Sequence, residues 1–127
     1  VALAGSMLGS GGVTVMEEGT DMVWAALRLM EFFYHESCGK CSPCREGSSW
    51  LVQIMRRIVN KRGQMADLET LTDLCKNIAG RTVCAFGDAE VSPILSTLKH
   101  WRHEYVAMIH AAEAANLIRP EPAGAKH

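Results

Sequence analysis

Three cysteines recur at a step of three in Cys38-Gly39-Lys40-Cys41-Ser42-Pro43-Cys44, and a fourth, Cys84, follows forty positions after Cys44. A segment this tight does not give three thiols separate disulfide partners, but it does let all of them face one small space. A compact iron–sulfur core asks for that pattern: four thiolates, three from one tight loop and one from afar. Five cysteines is an odd number, which favours metal ligation in a reducing compartment over a disulfide framework. The same four thiols could build a structural zinc site, which is the competing reading. Zinc usually takes two separated cysteine pairs, so the continuous triplet favours the iron–sulfur core. A Cys-x3-Cys-x2-Cys run, associated with radical chemistry, is not what this chain carries.

At 127 residues and 48% hydrophobic content the chain makes one domain with enough apolar material for a core. The formal net charge of -1 gives no pull toward nucleic acid or a membrane surface. The longest apolar stretch, Met22 to Tyr34, is interrupted by Arg28 and Glu31 and is too short to span a bilayer.

Hydrophobic periodicity predicts a mainly α fold, a four-helix bundle. The first helix runs from about Asp21 to His35, capped by Thr20 or Asp21, with Met22, Val23, Ala26, Leu27, Met30 and Phe33 on one face. Ser42-Pro43 reads as a cap and a first-turn proline, opening a second helix that stops near Arg62, before Gly63. Its stripe is Leu51, Ile54, Met55, Ile58 and Val59. The third helix spans about Asp67 to Gly80, with Leu68, Leu71, Leu74, Cys75 and Ile78 inward. Ser92-Pro93 repeats the cap-and-proline signal and is expected to open a fourth helix carrying Ile94, Leu98, Trp101, Tyr105, Met108 and Ile109.

Residues 1–16, Gly/Ser-rich and then β-branched at Val13-Thr14-Val15, read as the last strand of a preceding β-rich domain. The chain is then expected to be the tail end of a longer protein, or to have lost its upstream part. Residues 17–115 form the helical cluster domain, and 116–127, rich in Pro, Gly and Ala, are expected to be disordered.

Both cysteine loops follow odd-numbered helices, so an up-and-down topology puts them at one end of the bundle. A core of metal and thiolates is anionic. A helix starting at Ser42 aims free amides and a positive helix end at it, with Cys44 in the first turn. Gly39 permits close backbone approach. Lys40, Arg45 and Arg81 adjoin ligands in sequence and offset the charge. Cys75 lies on the apolar stripe and reads as a buried core thiol. His35 could hydrogen-bond near the centre or simply end its helix, and His100, His103 and His110 read as surface or packing residues. Arg56, Arg57, Lys61 and Arg62 complement a helix end or an acidic partner. The Gly9-Ser10-Gly11-Gly12 run reads as a plain turn.

The stretch Glu36-Ser37-Cys38-Gly39-Lys40-Cys41-Ser42-Pro43-Cys44-Arg45-Glu46-Gly47 closely resembles the cluster-binding signature of the flavin-bearing NADH dehydrogenase component of respiratory complex I. The same signature marks the diaphorase subunits of NAD(P)-linked hydrogenases and formate dehydrogenases. Leu8 to Met16 is similar to the close of that family's small β-rich domain. Ile78-Ala79-Gly80-Arg81-Thr82-Val83-Cys84 is similar to its fourth-ligand loop, and Leu98 to Tyr105 to its final helix.

The resemblance implies a [4Fe–4S] cluster on Cys38, Cys41, Cys44 and Cys84. It implies that the cluster takes single electrons from reduced FMN after NADH has delivered a hydride. The implied partners are an upstream FMN/NADH domain, a thioredoxin-like [2Fe–2S] subunit and a further iron–sulfur subunit. The implied location is cytoplasmic, or the cytoplasmic (matrix) face of an energy-transducing membrane, as a peripheral component. In the family, FMN and NADH bind a glycine-rich loop of the upstream domain. No residue of this chain corresponds to that loop, so on its own the chain is not expected to oxidise NADH.

Overall fold

The computed structural model describes residues 2–118. Five α-helices follow one 3₁₀ turn at Ala2–Ala4: α1 Met22–Glu36, α2 Ser42–Val59, α3 Met65–Ile78, α4 Phe86–His100 and α5 Arg102–Ile118. The mainly helical expectation holds, but the four-helix bundle becomes a five-helix arrangement. The segment read as one final helix is two, joined at Trp101. The expected strand at Val13-Thr14-Val15 does not form, and no strand occurs among the described residues. A lone strand has no ladder to join, and Val15 is left 91% exposed. Gly11 N–H donates to Leu8 O at 2.9 Å, the plain turn expected there. The last helix continues through Ile118. The remainder of the expected disordered tail, His127 included, lies outside the described residues.

Each helix start has a local cause. Asp21 caps α1, its Oδ1 accepting from the amides of Val23 and Trp24 at 3.0 and 3.1 Å. Glu104 of α5 accepts from Met22 N–H at 2.9 Å, tying the last helix to the start of the first. At α2 the cap is Cys41, one residue before the expected Ser42. Its backbone is extended, with φ -98° and ψ 130°, and its carbonyl accepts the first helical bond from Arg45 N–H at 2.8 Å. Pro43 then sits in the first turn, where its missing N–H costs nothing. At the start of α3 the Asp67 carboxylate accepts from Gln64 N–H at 2.8 Å, while Asp67 N–H donates to the Gln64 carbonyl at 2.9 Å. Asp67 is buried and also pairs with Arg57 of α2.

The α4 start differs most from expectation. The helix begins six residues before Ser92, at Phe86, after an Ala85 that makes no side-chain cap bond. Pro93 therefore lies inside the helix. Thr97 Oγ1 donates to the Pro93 carbonyl at 2.7 Å and pairs with Tyr105 Oη of α5 at 2.8 Å.

Helix α1 packs on α2 and α4, α3 packs on the same two, and α5 lies against α1, α2 and α4. Their shared core holds Val23, Met30, Leu51, Met55, Ile58, Leu68, Leu71, Ile94 and Ile109, all fully buried. Burial of each such side chain is worth roughly 1.5–3 kcal/mol, set against the entropy of ordering the chain. Arg56 reaches Glu31 of α1 at 3.0 Å, so part of the basic patch serves to bridge helices. Among the described residues no helix is long and apolar enough to cross a membrane.

Candidate metal centre

The loop after α1 and the loop after α3 meet at one end of the helices, as the odd-helix argument requires. Val83 N–H donates to Cys41 Sγ at 3.4 Å, a direct bond from one cysteine loop to a sulfur of the other. Cys38, Cys41, Cys44 and Cys84 all line a single cavity of about 150 Å³, together with Ser37, Lys40, Thr82, Phe86 and others. All four thiols are free. Amide donors aimed at sulfur suit thiolate ligands, because a hydrogen bond to an anionic sulfur stabilises it.

The four sulfurs stand in different surroundings. Cys44 is 7% exposed and belongs to the core, whereas Cys38 and Cys84 are exposed and Cys41 is intermediate. Ser37 Oγ lies 3.3 Å from Cys44 Sγ. Burial pushes the Cys44 thiol above its ordinary range. The Ser37 hydroxyl opposes that shift and the nearby Glu90 carboxylate adds to it. The unligated residue is therefore a thiol at neutral pH, and a metal must displace its proton.

Two turns hold the loops in place. Gly39 adopts φ +74°, a conformation other residues rarely take. Arg45 then reaches back to the Gly39 carbonyl at 2.9 Å and to Ser42 Oγ at 3.3 Å, bracing the triplet. Gly80 N–H donates to Asp88 Oδ1 at 2.7 Å, closing the Cys84 loop onto the first turn of α4. Gly87 accepts the Thr82 side chain so closely that an added Cβ would sit 2.5 Å from Thr82 Oγ1.

Of the neighbouring residues singled out from sequence, Gly39, Ser42 and Arg45 shape the loop and Lys40 lines the cavity. Arg81 is exposed and does not line it. His35 is exposed and pairs with Glu36 instead. Cys75 is fully buried, and burial pushes its thiol up to about 12, in keeping with a core residue. Sequence reasoning missed Ser37, Ser48 and Glu90 around Cys44, and Gly87 behind the Cys84 loop. Glu90 was visible in principle: it falls on the helical stripe of Gly87, Val91, Ile94 and Leu98 once α4 is extended back to Phe86.

Among the described residues, no three His, Cys, Asp or Glu side chains converge closely enough to hold a single metal ion. The four cysteines instead surround a cavity.

A helical domain that turns four cysteines toward one cavity at the joined ends of two loops is built as an iron–sulfur-binding domain. The chain belongs to the family of the NADH-ubiquinone oxidoreductase-F iron-sulfur binding region, whose model matches residues 24–108 and carries a [4Fe–4S] designation. It is 55% identical over 106 residues to the second of the NADH-quinone oxidoreductase F subunits of Rhizobium meliloti, an alignment covering 84% of this chain and 25% of the relative. It is 52% identical over 105 residues to the NADH-quinone oxidoreductase F subunit of Streptomyces coelicolor, covering 83% and 23%. The chain thus spans about a quarter of the length of these relatives. Its fold is similar to part of an NAD+-reducing [NiFe]-hydrogenase crystallised in the H2-reduced state. That match has TM-score 0.68 and 29% identity, over 71% of this chain and 16% of that one. The air-oxidised state of such a hydrogenase matches with TM-score 0.71 and 26% identity, covering 81% and 20%.

Proposed function

We propose that Cys38, Cys41, Cys44 and Cys84 hold the [4Fe–4S] cluster, and that the chain works as a one-electron relay within an NADH-oxidising flavoprotein subunit. The observation that carries the ligand set is the shared cavity, closed by the Val83 N–H to Cys41 Sγ bond between its two loops. When bound, the cluster supplies uptake and release of single electrons. The residues supply the rest. Cys44 anchors one side of the site in the core. Ser37 and the Val83 amide hydrogen-bond ligand sulfurs, which sets where in a wide range the potential falls. Cys38 and Cys84 leave the opposite side open, where a donor or acceptor can approach.

Residues 17–115 are the cluster domain in this reading, and 1–16 lead in from a preceding domain. FMN and NADH belong to the part of the relatives that this chain does not span. The proposed partners are that flavin domain, a thioredoxin-like [2Fe–2S] subunit and a further iron–sulfur subunit, at the cytoplasmic (matrix) face of an energy-transducing membrane. The likeness to the hydrogenase structures favours a second reading, the same relay in the diaphorase of an NAD(P)-linked hydrogenase. Co-purification separates the two, by yielding either quinone-reductase membrane subunits or a hydrogenase subunit.

The decisive test of the relay is metal analysis of anaerobically prepared protein, with an electron paramagnetic resonance spectrum after reduction. About four irons per chain and a reduced-cluster signal are expected. Zinc without iron would leave a structural interaction domain and end the electron-transfer reading.

A further inference from the structure

Glu90 is fully buried, yet nothing in the ligand set uses it. Its Oε2 accepts from Ser48 Oγ at 2.9 Å and lies 3.7 Å from Cys44 Sγ, while its Oε1 is buried with no hydrogen-bond partner. A buried carboxyl with half its acceptors idle is costly, and an apolar side chain would fit an apolar stripe better. The contact has a particular placement. Ser48 is one helical turn after Cys44 on α2, and its hydroxyl oxygen also lies against the Cys44 carbonyl. Glu90 is six residues after Cys84 on α4. The Ser48–Glu90 bond therefore joins the helix that carries the third cysteine to the helix that follows the fourth.

We propose that Glu90 is a positioning residue which, through Ser48, fixes the Cys44 corner of the cluster site relative to the Cys84 loop. It stands outside the cavity, behind the sulfur of Cys44. Directional bonds set the register of the two helices more narrowly than apolar packing alone, because Val91 and Ile94 beside it tolerate small sliding movements that a hydrogen bond does not. The inference rests on the four-cysteine ligand set proposed above.

The test uses the full chain with its cluster reconstituted anaerobically, and compares Glu90→Leu, Glu90→Gln and Ser48→Ala with the parent. Iron loss to a chelator, the spectrum of the reduced cluster and the melting temperature of the metal-free form are read for each. Glu90→Leu is expected to lose iron roughly tenfold faster or more, the scale on which supporting residues act at metal sites. Its reduced-cluster spectrum should broaden, while the metal-free melting temperature is unchanged or higher. Glu90→Gln, whose amide oxygen can still accept from Ser48, should restore parental iron retention. Ser48→Ala, a small change that keeps the helix, should reproduce the leucine phenotype. Parental retention and spectrum in Glu90→Leu or in Ser48→Ala would overturn the proposal, as would a Glu90→Gln as defective as the leucine variant. A parent that takes up no iron would instead overturn the ligand assignment.

Discussion

The two sides of the cysteine cavity are built by different physics. On one side Cys44 sits in the first turn of α2 among core residues, with Ser37, Ser48 and Glu90 around its sulfur. On the other, Cys38 and Cys84 lie exposed on loops that are held by turns and by hydrogen bonds between side chains and backbone. The first side is as rigid as the helices and gives the site its address. The second is the one that other groups can reach. A relay needs both, because a rigid anchor limits rearrangement on electron transfer while an open edge gives access.

The sharpest way to break this comparison is to remove the thiols one at a time. Cys84→Ala is expected to abolish stable cluster binding, whereas Cys75→Ala, which alters only the core, keeps a full complement of iron. Retained iron in the first variant would show that the exposed loop does not complete the site.

Alkali probes the core behind the buried side. The thiol of Cys75 moves from 9.0 to about 12 by burial, with the Glu90 charge adding to the shift. The phenol of Tyr105 moves from 10.0 to about 12, also by burial. Between those values the folded chain holds protons that the unfolded chain has released. The stability each group confers is whole below its unfolded pKa and is lost as pH rises through about 12. The loss is about 1.4 kcal/mol per pH unit for each group in that window. Chemical denaturation from pH 8.5 upward should show the decline, and Cys75→Val should shed the part that begins near 9.

A smaller effect is expected from Gly87→Ala. The new methyl collides with Thr82 and pushes on the Cys84 loop, at a cost of about 1–3 kcal/mol by analogy with overpacked cores. Iron retention should fall while the buried side keeps its structure, as hydrogen exchange of α2 amides would show. The mildest contrast is chemical. In metal-free protein, Cys38 and Cys84 should be alkylated roughly tenfold or more faster than Cys44, whose thiol is both buried and raised in pKa. Mass spectrometry of a timed reaction reads the order, and equal rates would dissolve the distinction between the two sides.

The same division governs what the residues reveal before any coordinates. Asp21 announces α1 through a side-chain cap, and α1–α3 bury the faces their periodicity marks. The meeting of the cysteine loops follows from helix count alone. The α4 start is not legible, because Ala85 offers no capping side chain and Ser92-Pro93 imitates a start from inside the helix. That false start puts Glu90 in a loop, where a charged residue attracts no notice. Trp101 gives no glycine or proline signal for the break before α5, so the two last helices read as one. The strand at Val13 to Val15 fails for the opposite reason: β propensity is present, but no second strand is.

The bond from Val83 N–H to Cys41 Sγ has a consequence for folding. Three of the proposed ligands lie within seven consecutive positions, whereas the fourth lies forty positions beyond Cys44. A metal core bridging Cys44 and Cys84 is then a cross-link that shrinks the unfolded ensemble as a disulfide would. For a loop of that length the chain-entropy estimate is about 4 kcal/mol. The cluster would thus act as a staple, closing last and joining segments that the chain itself places far apart.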